Sequence, residues 1–473
     1  MLFFSAKNVI KSKVLNEFRY MNKDKRGNRK GIDVKRISLK VKILLGILFI
    51  IIIGSVGVSE YKGYEVRKDQ VQRQAILNMP LVPLTMEQKI QDFEYLYKVI
   101  KENYPFLEVN KRMNGIDWLA NKDKYLNLIQ NTSDGDDQDY KKVLDIIMSD
   151  LNNGHTHILT REHVKVMREA YYHAKQQGVW QGINYDVLNN PYALRRYGMD
   201  ISVGESKDTE NDGNAKEEIQ TSQVITKDVI EGKVAYIRIP EMLGSREREK
   251  DETIIIPYLE KVKDYNALII DIRGNSGGDS KYWSEFLMPR IIRQSYASEQ
   301  YTFYKGGEEI QAFIKADYKS PIFIKKVSNL DKDLLPNIPE EVYTDFTYYE
   351  QSTSQVKPHL DSIHFKGKIY LLVDRGVCSS AENLAVFAKD SGLAILIGEK
   401  TGGDGIGSDP MLTMLPNSGL VVRYSKDLGT SGDGTCNEEY KTVPDYVIQN
   451  PARSTNFMED ECIKKVLELE GIK

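Results

Sequence analysis

The chain has 473 residues, 41% of them hydrophobic and 28% charged, which is longer than one typical domain and has the composition of a globular protein with ample core. Its formal net charge of −3 conceals an asymmetry. Residues 1–42 carry thirteen Lys/Arg against Glu17, Asp24 and Asp33, about +10, which leaves about −13 for the rest and argues against nucleic-acid binding by the main body.

The basic arm (1–42) leads into 43–59, an uncharged run rich in Ile, Leu and Gly. Seventeen residues is at the short end of a membrane span, and Lys40 and Lys42 can snorkel to lengthen it. A cleaved signal peptide is the competitor, but the basic region is about forty residues long and no A-x-A site follows. Starting at Met21 would shorten the arm without changing its sign. A transmembrane signal anchor is therefore expected in the cell membrane, single-pass, with the N-terminus cytoplasmic and everything after residue 60 extracytoplasmic.

Residues 60–84 read as a stalk closed by Pro80 and Pro83. A small helical unit follows at 85–160. Ile90, Phe93, Leu96, Tyr97 and Ile100 share one helical face, and further amphipathic stretches run over Trp118–Ile129 and Tyr140–Leu151. Asn152-Asn153-Gly154 is a helix stop. Residues 161–223 form a connector without clear structure, ending in a polar, acidic loop. Over 224–450 short β-rich runs (Val234–Ile239, Ala267–Asp271, Lys368–Val373, Ala394–Ile397) alternate with expected helices at Asp251–Lys263, Tyr282–Arg293 and Ala381–Asp390. This alternation predicts an α/β core. An insertion at 294–365 is rich in Tyr and charge, and 451–473 is expected to hold a C-terminal helix. Cys378, Cys436 and Cys462 are too few for a disulfide framework, and whether Cys436 and Cys462 pair is left open.

Four segments carry possible chemistry. In Gly154-His155-Thr156-His157, a histidine after a tight turn suits a general base, the alternatives being a surface histidine or a His-x-His metal pair. No third ligand accompanies that pair, so neither metal nor cofactor is expected. Asp271-Ile272-Arg273-Gly274-Asn275-Ser276-Gly277-Gly278 ends an apolar run in a Gly-rich turn whose N–H groups can face a ligand. It lacks the phosphate-loop signatures, and an oxyanion donor fits better. Val373 to Glu382 contains Cys378-Ser379-Ser380-Ala381 at a helix N-terminus, where negative charge is favoured. The serines suit either simple helix capping or nucleophilic attack on a carbonyl. The fourth segment combines Leu415-Pro416-Asn417-Ser418-Gly419 with Asp433-Gly434-Thr435-Cys436-Asn437-Glu438 and Pro444-Asp445.

Taken in order, GHT, DIRGNSGG, SSAE, GEKTGG (398–403), LPNSG and PD resemble the carboxyl-terminal processing (tail-specific) serine peptidases and their tricorn-core and retinoid-binding-protein relatives, over about 85–160 and 225–450. The resemblance implies a crotonase/ClpP-like α/β-spiral core behind a helical N-terminal unit. It implies Ser379 as nucleophile, with an oxyanion hole from the N–H of Ser380 and that of Gly277 or Gly278. The processing branch takes its base from a lysine twenty-five residues after the serine; that position is Asp404 here, so a simple Ser-Lys dyad is ruled out. Lys400 occupies the variable position of its motif and reads as solvated. The tricorn-like branch instead uses a histidine and a glutamate, which His155 and Glu438 match, although its serine before the histidine is Gly154 here. No PDZ pattern is evident in 160–225. The expected activity is a membrane-anchored serine peptidase acting on polypeptides. The alternatives are an inactive binding protein on the same scaffold and a hydrolase of ester or other acyl bonds.

Overall fold

The computed structural model describes residues 64–133, 135–201, 222–317 and 323–472. The basic arm, the apolar run at 43–59 and nearly all of the acidic loop lie outside the described residues, and among those described no helix is long and apolar enough to cross a membrane. The chain divides into units 1–75 and 76–473, and residues 64–75 of the first are helical.

The second unit opens with α1 (Met86–Asn103), which starts where Thr85 and Gln88 form a capping box and buries Phe93, Leu96 and Ile100. Helices α2 (Leu107–Asn114), α3 (Lys122–Gln130) and α4 (Asp137–Ser149) follow, the last capped by Asp136. A short strand β1 (His157–Ile158) then pairs with β11 (Val421–Tyr424), itself paired with β10 (Met411–Met414). The expected connector contains three helices, α5 (Arg161–Gln177), α6 (Gly182–Leu188) and α7 (Pro191–Tyr197), each with buried apolar residues.

A six-stranded sheet forms the centre, in the order β13-β9-β8-β4-β3-β2. Its strands are β2 (Ile225–Ile230), β3 (Val234–Arg238), β4 (Ala267–Asp271), β8 (Lys368–Val373), β9 (Ile395–Gly398) and β13 (Tyr446–Val447). All neighbours are parallel except β2 and β3. Side chains alternate between two cores, as the two-residue strand period requires. Ala235, Ile237, Leu268, Ile270 and Leu371 face one core with helices α8 (Ser245–Val262) and α12 (Ser379–Ser391). Val234, Tyr236, Ala267, Ile269 and Tyr370 face the other with α14 (Glu461–Leu469). The expected helix at Tyr282–Arg293 is a π-helical turn (Tyr282–Leu287) running into the short α9 (Met288–Ile291).

The 294–365 stretch is built into the molecule. Its strand β5 (Tyr296–Tyr304) lies between β7 (Tyr348–Val356) and β12 (Asp427–Ser431) in an antiparallel sheet that ends on β6 (Lys325–Lys326). Helices α10 (Glu308–Ala316) and α11 (Val342–Asp345) fall within the same stretch, and α13 (Asn437–Tyr440) follows β12. Cys378, Cys436 and Cys462 are free thiols, so Cys436 and Cys462 do not pair.

Candidate active site

Three of the motif loops leave the carboxyl ends of adjacent parallel strands, the usual ligand edge of an open α/β sheet. After β4 comes the Gly274–Gly278 turn, after β8 the Ser379 turn, and after β9 the loop to Asp404. Two isolated parallel bridges extend the sheet into these loops, Met242 with Gly278 and Cys378 with Gly403.

Ser379 is the first residue of α12 and has φ 55°, a left-handed conformation costly for a side chain with a Cβ. Its N–H donates to Gly403 O at 3.3 Å, and that of Cys378 to Asn275 O. Gly277 makes the turn possible, since a Cβ there would lie 2.7 Å from Ser379 Cβ. The capping alternative finds no support, because among the described residues α12 has no side-chain cap and Ser380 Oγ is buried without a hydrogen-bond partner.

Of the expected oxyanion donors, Gly277 is withdrawn, since its N–H is donated to Asn275 Oδ1 at 2.8 Å. Among the described residues, the N–H groups of Ser380 and Gly278 are not given to any protein acceptor. Both fit a developing negative charge, that of Ser380 with the α12 dipole behind it.

His155 follows α4 after a turn in which Asn152 has φ 51°. Its Nδ1 lies 2.6 Å from Asp404 Oδ2. Burial raises the Asp404 carboxyl, but the His155 contact, Asn153 and Lys441 outweigh it and hold the group below its usual range. An ionised carboxylate only accepts, so it is His155 Nδ1 that donates in this contact, which leaves Nε2 as the ring nitrogen turned to other partners. No hydrogen bond joins Ser379 to His155 among the described residues. They are linked through the β9 loop, where Gly403 takes the Ser379 N–H and Asp404 takes His155.

Among the described residues, Glu438 makes no hydrogen bond or ion pair with His155. It meets Asn153 Nδ2 at 3.2 Å and Lys441 Nζ at 2.9 Å, and Asn153 Nδ2 also donates to Asp404 at 2.9 Å. Burial first, then the charge of Asp404, push Glu438 up to about 7 against the opposing Lys441. The neighbouring Asn437 fixes α13 by donating to buried Glu382 and accepting from the Gly405 N–H. His157 sits apart on β1 beside Arg423 and His163, and burial and those neighbours lower it to about 4.

Other motif residues are structural. Asp445 accepts the Leu396 N–H and pairs with Lys389, anchoring β9, while Lys400 is exposed. The residues that sequence reasoning missed are Asn153, Lys441 and the role of Asp404. Only Asp404 left a signal, as an acid where relatives have a lysine.

Residues 233–448 match the model of Peptidase family S41. No curated protein matches. The structure of mature CPAF complexed with lactacystin is 14% identical, over 82% of this chain and 98% of that one, with a TM-score of 0.51, which shows a shared fold. A protein of Parabacteroides merdae assigned as a peptidase is 17% identical, over 80% of this chain and 96% of that one, with a TM-score of 0.49. The photosystem II D1 C-terminal processing protease is 13% identical, over 81% and 98%, with a TM-score of 0.39. Residues 233–448 therefore form a serine peptidase domain of family S41, and the mixed α/β fold agrees with that match.

Proposed function

We propose that the protein is a membrane-anchored, extracytoplasmic serine peptidase that cleaves peptides or proteins through an acyl-enzyme on Ser379, with His155 as general base and Asp404 as its orienting carboxylate. The observation that carries this reading is the 2.6 Å contact of His155 Nδ1 with Asp404, on a loop that also holds the backbone of Ser379. The basic arm and the apolar run at 43–59 support the anchor. The parallel β9-β8-β4-β3 stretch, covered by helices on both faces, supports the crotonase/ClpP-like spiral that the family resemblance implies.

In the first half-reaction His155 Nε2 takes the Ser379 hydroxyl proton as Oγ bonds to the scissile carbonyl carbon. The carbonyl oxygen becomes an oxyanion facing the N–H groups of Ser380 and Gly278. Collapse breaks the C–N bond, and the proton passes from His155 to the leaving amine. A water then gives its proton to Nε2, its oxygen attacks the acyl carbon, and the acid product leaves as Ser379 recovers the proton. Asp404 keeps Nδ1 protonated throughout, and the Ser379–His155 contact forms as substrate closes the site, since such bonds tighten in the complex.

The test is labelling by a serine-reactive fluorophosphonate, followed by mass mapping. Labelling at Ser379 that disappears in Ser379→Ala and falls strongly in His155→Ala is expected. Unchanged labelling in Ser379→Ala removes Ser379 from the mechanism.

A further inference from the structure

We propose that Asn153 is a positioning residue of this site, its side-chain amide holding Asp404 and Glu438 in one arrangement so that the first can serve His155. The inference rests on the Ser379–His155 reading above. Asn153 is 9% exposed, and all of its side-chain polar capacity is used. Its Oδ1 accepts from the His155 N–H at 3.1 Å, Thr156 Oγ1 at 2.8 Å and Ser425 Oγ at 3.1 Å. Its Nδ2 donates to Asp404 Oδ2 at 2.9 Å and to Glu438 Oε1 at 3.2 Å.

The two ends of the amide do separate jobs. The oxygen closes the turn that carries His155 and ties it to Ser425, the residue just after β11. Among the described residues, the nitrogen is the one hydrogen-bond donor that both carboxylates share. Two acids in one site repel unless a donor or a proton lies between them. Without the amide hydrogens, Asp404 and Glu438 would compete for a proton, and a protonated Asp404 would no longer fix the His155 tautomer. The groups facing this pair are His155 from the turn after α4, Lys441 after α13, Tyr104 after α1, Cys378 before α12, Arg423 on β11 and Cys436 before α13. Lys441 pairs with Glu438, three residues away, and acts on Asp404 through its charge, so Asn153 supplies the hydrogen bond that joins that pair to Asp404.

Asn153→Asp separates the two jobs, because it keeps shape and Oδ1 and replaces only the donor nitrogen with an acceptor. The measurement is the rate of Ser379 labelling by a fluorophosphonate in the detergent-solubilised full chain, from pH 8 to pH 6, with thermal unfolding alongside. At pH 8 the variant is expected to label about 100-fold more slowly than wild type. That deficit is expected to shrink as pH falls, since a shared proton turns one oxygen back into a donor, with a melting temperature close to wild type at pH 6. A wild-type rate and pH profile overturn the inference and leave the proposed function standing. A deficit equal at every pH together with a lowered melting temperature also overturns it, making Asn153 merely structural. No labelling of the wild type at Ser379 overturns the proposed function, and the inference falls with it.

Discussion

Around Ser379 the polypeptide holds itself mainly by backbone, whereas around His155 it relies on side-chain hydrogen bonds between segments about 250 residues apart. The nucleophile turn is fixed by N–H groups given to Gly403 and Asn275 carbonyls and by the absence of a side chain at Gly277. The base is fixed by Asp404 and Asn153. A backbone-built half tolerates almost no added volume, while a side-chain-built half is sensitive to charge and protonation. Each half therefore has its own way to fail.

The largest effect is expected on the side-chain half. Asp404→Asn leaves the shape intact but allows the wrong His155 tautomer, and a fall of roughly 10³–10⁴-fold in Ser379 labelling or peptide cleavage is expected. A variant within tenfold of wild type would show that Asp404 does not orient the base. On the backbone half, Gly277→Ala puts a methyl 2.7 Å from Ser379 Cβ. The displacement of Oγ that follows is expected to lower the rate by about 10²-fold at every pH, a pH-independent loss that contrasts with the Asn153→Asp profile.

Glu438 provides a milder probe, read in stability. Its folded-state value, about 7, lies above the ordinary 4.5. The folded chain thus binds the extra proton between those values, and this group's contribution to stability is lost as pH rises from about 4.5 through about 7. Glu438→Gln is expected to flatten that slope and to gain about 1 kcal/mol relative to wild type at pH 8, the release of Lys441 offsetting part of the gain. Calorimetric unfolding at pH 5 and pH 8 checks this, and an equal change at both pH values would refute it.

Legibility in the sequence followed the same division. β4 and β8 are found where the sequence predicts them, because a parallel strand buried on both faces reads as an unbroken apolar run. The Gly-rich and Ser379 turns were visible for a related reason, since backbone devices need particular residues in consecutive positions. Helix α5 was missed because its seventeen residues bury only Val164, Arg168 and Tyr171, too thin a stripe to read. The 294–365 stretch looked like an insertion because β5 takes its partner β12 from more than 120 residues away. Asp404 was noticed only as a missing lysine. Its partnership with His155 spans 249 residues and has no local pattern. Asn153 looked like part of a helix stop, and nothing in its neighbours announced that one amide would serve three segments.

The smallest effect expected on the labelling rate tests whether the two halves communicate only through the site. Asp92 on α1 is fully buried and accepts the N–H groups of Asn417 at 2.7 Å and Ser418 at 2.8 Å, holding the Leu415–Gly419 turn to the helical unit. Asp92→Asn retains one acceptor and turns the other into a donor facing an N–H group, so it is expected to cost about 1–3 kcal/mol of stability. The labelling rate of Ser379 should stay within twofold of wild type below the melting transition, because neither Asp404 nor Asn153 touches this turn. A loss comparable to that of Asp404→Asn would mean that the base is placed by the docking of the whole helical unit. The local cluster of Asn153, Asp404 and Glu438 would then be a consequence of that docking instead of its cause.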